Sequence, residues 1–249
     1  MIRRFGYTAG LISLLIGSPM VHASVTPQAQ DLQTMETDAY KLATRYFMYT
    51  VTERSPDQHA LLDTLMQNMQ NLVDQAHNDK VTAAWTEYRK ALETSPYDKN
   101  NLVSEDTLIN IDTQIKPLVS ALQNSLATAH ADTNSNAALI FKQSILMERL
   151  TAEYLRRATD TMGGSIVADS SAEDPEALAV EFSKGMTTLL HTYQGQAKVY
   201  SSLWSADRYW NFIKGRMIDF NSKSVPYIVS TFNDNITNQL ASAYQAANH

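Results

Sequence analysis

Apolar side chains recur every three or four residues through almost the whole of this chain, and that spacing constrains its fold more than any other feature. Leu32, Met35, Ala39, Leu42, Tyr46 and Tyr49 step in this way. So do Leu62, Leu65, Met69, Leu72 and Ala76, then Val81, Trp85, Tyr88 and Leu92. Leu108, Ile111, Ile115, Leu118 and Leu122 form a longer run that Ala129 continues, and two later runs follow: Leu178, Phe182, Met186, Leu189 and Tyr193, then Val225, Ile228, Phe232, Ile236 and Leu240. A period near 3.6 puts such residues on one stripe of a helix, which only another helix or a sheet can cover. No segment sustains the period-two alternation of a half-buried strand. The expected fold is therefore all-α, an antiparallel helical bundle.

Punctuation between the runs agrees. Ser55-Pro56 and Asp174-Pro175-Glu176 each set a capping side chain before a proline at the first helical position, and Ser104-Glu105-Asp106 opens another helix. Gly163-Gly164 ends a helix before a polar stretch that reaches Glu173, the longest expected loop. Asn134-Ser135-Asn136 divides the chain into two similar halves, read as four-helix repeats over residues 24–132 and 133–249. In this alignment Leu62, Met66 and Met69 correspond to Phe182, Met186 and Leu189, and Lys80-Val81 before Trp85 corresponds to Lys198-Val199 before Trp204.

Residues 1–23 read as an export signal. Arg3 and Arg4 precede a short apolar stretch over 9–17, Pro19 breaks it, and Val21-His22-Ala23 offers a cleavage pattern, so the mature chain is expected to start near Ser24. The apolar stretch is too short to span a bilayer, which takes about 20 residues. No later stretch is apolar enough to cross a membrane. The chain holds no cysteine, which excludes disulfides, thiolate metal sites and thiol chemistry. A net charge of -6 with no basic block argues against a nucleic-acid partner. A periplasmic location in a Gram-negative bacterium is the expectation.

Residues 136–158 are the most informative segment. At 100° per residue, Leu139, Leu146, Leu150 and Tyr154 share one face with Gln143 at its centre, while Phe141, Ile145 and Leu155 cover the opposite side. Lys142, Arg149, Glu153 and Arg156 are left as the solvated ridge. A helix this apolar is expected at the centre of its bundle, and the Gln143 amide needs a partner there, since an unpaired buried amide costs roughly 1–3 kcal/mol. Gln143, Leu146 and Arg149, with Ile145 in place of a methionine, Met147 and Glu148 in place of a serine and a glutamine, and Tyr154 following, resemble the signature helix of PilJ-type domains, the N-terminal sensory regions of type IV pili methyl-accepting chemotaxis transducers. These domains are related to the periplasmic regions of nitrate/nitrite sensor kinases. In the first half Leu42 and Arg45 take the matching positions. The resemblance implies an extracytoplasmic helical sensor module. The arginine that contacts the anion in the nitrate-sensing relatives is Ser144 here, which leaves Lys142, Gln143 and Arg149 as candidate ligand-binding residues, guanidinium being suited to planar oxyanions.

Other constellations carry less. His59 and Asp63 are spaced to share a helix face, but no HExxH or clustered-carboxylate pattern accompanies them, so no metal or other cofactor is expected. Met66, Met69, Met147, Met162 and Met186 have the spacing of core filler. No nucleophile elbow or phosphate-cradling glycine loop is present. Tyr193, Tyr200, Trp204, Tyr209, Trp210 and Phe212 form a dense aromatic cluster, of which Tyr200, Trp204 and Trp210 are candidates for a pocket or partner surface. Trp204 and Trp210 lie six residues apart, about 240° around a helix, so both cannot face one core. The expected function is a soluble, non-catalytic sensory or ligand-binding accessory module for a small anion or other small ligand. An envelope adaptor acting through protein contacts is the alternative, and a helical enzyme or metal carrier the lesser one.

Overall fold

The computed structural model describes residues 27–129, 135–163, 174–218 and 225–248. The segment read as an export signal, the break between the expected halves and the polar stretch before Glu173 lie outside the described residues. Among those residues there are eight helices and no strand: α1 (Pro27–Val51), α2 (Pro56–Ala76), α3 (Asp79–Leu92), α4 (Glu105–Thr128), α5 (Asn136–Gly163), α6 (Pro175–Thr192), α7 (Ala197–Ile218) and α8 (Pro226–Ala247). None is long and apolar enough to cross a membrane. Most residues with the 3–4 spacing are buried in the bundle, including Met35, Leu42, Tyr46, Trp85, Ile111, Phe182 and Met186.

The helix starts follow the sequence with one exception. Asp174 accepts a hydrogen bond from the Glu176 amide and Ser104 from that of Thr107, as capping residues do. Ser55 makes no such bond, and Pro56 alone opens α2. Asn78, which is not marked by a proline, caps α3 through the amides of Lys80 and Val81.

Neighbour order is the same in both groups of four. The first helix of each packs on the second and the fourth, the second on the third, and the third on the fourth. The groups meet chiefly along α1 and α5, with α8 also touching α1. As the apolar spacing requires, α5 is central: it packs on α1, α6 and α8.

Three sequence expectations are corrected. The ridge of α5 is not solvated throughout. Lys142 is exposed, but Arg156 is buried and Glu153 nearly so, because Asp112 of α4 reaches Arg156 from the first group. The buried stripe of α8 is Val229, Asn233, Ile236, Leu240 and Ala243, which turns Ile228 outward and leaves Phe232 half-buried. Trp85 has its counterpart in Trp210 rather than Trp204. Both buried indoles donate to the preceding helix, Trp85 to Gln70 Oε1 at 2.8 Å and Trp210 to Ser183 Oγ at 2.9 Å.

Gly185 leaves room for the Gln143 amide where α5 packs on α6. A Cβ built there would stand 2.0 Å from Gln143 Nε2 and 2.5 Å from its Cδ, so the amide lies where any larger residue would put its side chain. Glycine within a helix normally costs about 1 kcal/mol relative to alanine. Here overpacking opposes that gain by roughly 1–3 kcal/mol. Gly185→Ala should therefore be less favourable to stability in the native background than in a Gln143→Ala background. A double-mutant cycle of urea melts measures the coupling, and additive effects would contradict the close approach.

Candidate functional site

Two features of the fold gather chemistry: a polar seam where α1, α5 and α8 meet, and a groove between α2 and α3.

The seam interrupts an otherwise apolar core. Glu148 of α5 is fully buried. Its Oε2 accepts hydrogen bonds from Thr44 Oγ1 of α1 at 3.2 Å and from Asn233 Nδ2 of α8 at 3.0 Å. One residue further along α1, the buried Arg45 pairs with Asp234 and donates to Ser230 Oγ at 3.4 Å, both on α8. A reciprocal pair lies along the same interface: Arg156 of α5 meets Asp112 of α4 at 3.2 Å and Glu153 on its own helix at 3.0 Å. Each central helix thus sends an arginine to an aspartate on the last helix of the other group.

Burial pushes the Glu148 carboxyl up to about 7, against the opposing pull of Lys41, the Asn233 amide and Arg45; Asp234 adds to the rise. Its Oε1, together with Asn233 Oδ1 and Thr151 Oγ1, is buried without a hydrogen-bond partner among the described residues. A surplus of acceptors favours the protonated acid, which brings a donor of its own. Glu36 and Asp38 of α1 are also raised by burial, Glu36 despite a 2.7 Å hydrogen bond from Gln123.

The groove arises because α2 and α3 touch sparingly. They are joined at the tight His77-Asn78 turn, where His77 is left-handed (φ 47°), and the space opens toward the start of α2 and the end of α3. It encloses about 750 Å³. Tyr46 and Tyr49 of α1 form its floor, and the Tyr46 hydroxyl donates to the Thr94 carbonyl at 2.8 Å in the segment after α3. His59 sits edge-on to Tyr49, with centroids 5.3 Å apart, and its Nδ1 is 2.8 Å from Asp63. On the other wall Arg89 pairs with Glu93 at 2.8 Å and donates to Gln70 Oε1 at 3.1 Å. The groove's ionisable side chains thus already have partners, while Gln67, Ser95 and the tyrosine rings offer neutral polar and aromatic surface. In the second group the matching seam is filled by Phe182 and Trp210, packed edge to face at 4.8 Å.

The candidate residues read from sequence are not brought together in one site. Lys142 is exposed, Gln143 is buried against Gly185, and Arg149 is half-buried with its guanidinium 5.8 Å from the centre of the Tyr40 ring. Gln143 Oε1 is without a hydrogen-bond partner among the described residues. Lys142 and Arg149 both act on the Glu36 carboxylate, so an internal anion already answers these two cations. Trp210 is buried, Tyr200 half-buried and Trp204 exposed. Met66, Met69, Met147 and Met186 are core residues; the side chain of Met162 lies outside the described residues. No group of three histidine or acidic residues able to hold a metal occurs among the described residues.

The groove was not foreseen from the sequence, although the i,i+4 spacing of His59 and Asp63 marked one wall. Glu148 carried no signal beyond being an acid in an apolar helix. Comparison with known protein families, curated proteins and solved structures returns no match.

The seam sets a pH dependence. Glu148 is raised in the folded protein above its ordinary value of 4.5. Between pH 4.5 and 7 the folded state therefore binds more protons than the unfolded chain, and stability from this group falls as pH rises through that window. The whole effect is at most about 3 kcal/mol. Glu148→Gln should raise the melting temperature at pH 8, leave it nearly unchanged at pH 4.5, and flatten the slope between. Glu36 and Asp38 shift in the same direction, so some slope should remain. An unaltered pH profile in the variant would remove Glu148 from the account.

Proposed function

We propose that this protein is a non-catalytic, extracytoplasmic sensory module that binds a small neutral polar ligand in the groove between α2 and α3. The observation that carries the reading is the shared wall. Tyr46 and Tyr49 face the groove, while Thr44 and Arg45, on the same turns of α1, hold the other group of helices. A ligand that shifts α1 by even a fraction of a turn would alter the contacts to Glu148 and Asp234, so occupancy in one group can be felt in the other. Coupling of this kind requires only that the ligand prefer one of two helix packings.

The ligand class follows from charge. Because His59–Asp63 and Arg89–Glu93 are paired within the groove, a charged ligand would have to displace a partner, whereas hydroxyl or amide groups can use the exposed Gln67 and Ser95 and the aromatic floor. The reading of residues 1–23 as an export signal and the resemblance of residues 136–158 to PilJ-type sensory helices support an extracytoplasmic sensor.

A thermal-shift series tests this. Ligand at one hundred times its dissociation constant stabilises by about 2.7 kcal/mol. Monosaccharides, polyols and small amides are the expected stabilisers, and Tyr49→Ala or Gln67→Lys should abolish their shift with the unliganded melt little changed. A shift given only by nitrate or small carboxylates and lost in Arg149→Ala would move the site to α5 and overturn the groove assignment. No shift with any of these compounds would also defeat it.

A further inference from the structure

The outer face of α7 and α8 carries aromatic side chains where solvent-facing residues are normally polar. Trp204, Arg208, Phe212 and Arg216 follow one another at four-residue steps along α7 and so form one ridge. Trp204 is 47 % and Phe212 68 % exposed; on α8, Tyr227 is 70 % and Ile228 44 % exposed. The aromatic surface is continuous between the helices. Phe212 stacks on Phe232 at 4.7 Å with an interplanar angle of 15°, and Tyr209 meets the same ring edge-on at 5.7 Å. The Arg208 guanidinium lies 4.8 Å above the Trp204 ring.

Charge is segregated with it. In a chain of net charge -6, α7 carries Lys198, Arg208, Lys214 and Arg216 against one acid, Asp207. Asp207 lies off the ridge, hydrogen-bonded to Asn211 at 2.8 Å. The one acid of α8, Asp234, is engaged by Arg45 toward the interior. The ridge is thus aromatic and cationic with no carboxylate in it, and the hollow beside Phe212 and Phe232 is shallow, about 290 Å³.

We propose that this face docks on a lipid surface bearing anionic headgroups. Tryptophan, tyrosine and phenylalanine interleaved with arginine along one exposed face is the composition that lies in the plane of a bilayer interface, where rings enter the headgroup boundary and guanidinium groups meet phosphate. A flat face suits a planar surface better than it suits the deep anchor pockets of a protein interface. The inference is independent of the groove.

Two of the three tryptophans, Trp85 and Trp210, are buried at 1 % exposure, so Trp204 is the one whose emission solvent polarity can change. The purified protein is mixed with phosphatidylcholine vesicles, with or without 30 % phosphatidylglycerol. The anionic vesicles should sediment the protein and shift its fluorescence to the blue, and the neutral vesicles should do neither. Phe212→Ser and the double reversal Arg208→Glu, Arg216→Glu should each weaken partition at least about tenfold while the circular dichroism melt is preserved. Absence of sedimentation and shift, or partition unchanged in these variants, would overturn the proposal. So would concentration-dependent self-association, without vesicle binding, that Phe212→Ser abolishes, since the face would then belong to a second copy of the chain.

Discussion

The meeting of α1 with α5 is the contact on which the remaining architecture depends, and it is held in register by charge as well as by apolar packing. Leucine and methionine stripes alone would let two helices slide by a turn at little cost, because one apolar side chain replaces another. Arg45 and Arg156 do not allow that. Each is buried and each finds its aspartate on the last helix of the opposite group. A slip of one turn would take Arg45 from Asp234 and leave Arg156 only Glu153 of its own helix. Buried pairs are a poor source of net stability against an apolar replacement. What these two supply is a single permitted alignment of one group of helices on the other.

The two groups share an order of contacts but not a filling. Phe182 and Trp210 close the seam between α6 and α7, and Trp210 secures its indole on Ser183. Between α2 and α3 the corresponding indole, Trp85, sits edge-on to Tyr88 and is satisfied by Gln70, with nothing of similar bulk nearer the start of α2. The shorter α3 ends at Leu92, and the segment that follows turns back across α1, where the Tyr97 hydroxyl donates to the Thr50 carbonyl and the Arg54 guanidinium lies 4.2 Å above the Tyr97 ring. A groove therefore opens in one group at the place where Phe182 and Trp210 pack in the other.

The fold class was legible because burial imposes a period on the sequence, and eight helices in an antiparallel arrangement satisfy it. The stripes of α1, α3, α4 and α6 were read nearly residue for residue. The spacing misses on α2, where Met66 and Val73 are buried rather than Leu65 and Leu72, and on α8, where Asn233 and Thr237 occupy core positions. Polar residues serving the seam broke the apolar pattern, so the period was taken from Ile228 and Phe232 on the adjacent face. The site was less legible for the same reason. Glu148, Thr44 and Asp234 are far apart in the chain and ordinary in type; only their convergence makes them unusual. Lys142 and Arg149 looked available for an anion because their i,i+4 neighbours were weighed, while Glu36, which lies on another helix, could not be.

In the proposed sensor, coupling between groove and seam would depend on the charge state of the seam. A carboxyl with an ordinary value would be fully charged at neutral pH and would hold Arg45 and Lys41 firmly. One raised by burial toward neutrality gives up its charge more readily. In the charged form Glu148 adds to the pull on Arg45, which Asp234 also holds; the neutral form brings a donor where Asn233 Oδ1 has no partner among the described residues. Small displacements of α1 change the distances to Thr44 and Arg45 together, since the two are consecutive. In the proposed sensor, a movement begun at Tyr46 and Tyr49 would therefore act on a buried carboxyl whose charge the surrounding groups can change, whereas an apolar seam of the same size would offer nothing comparable to shift.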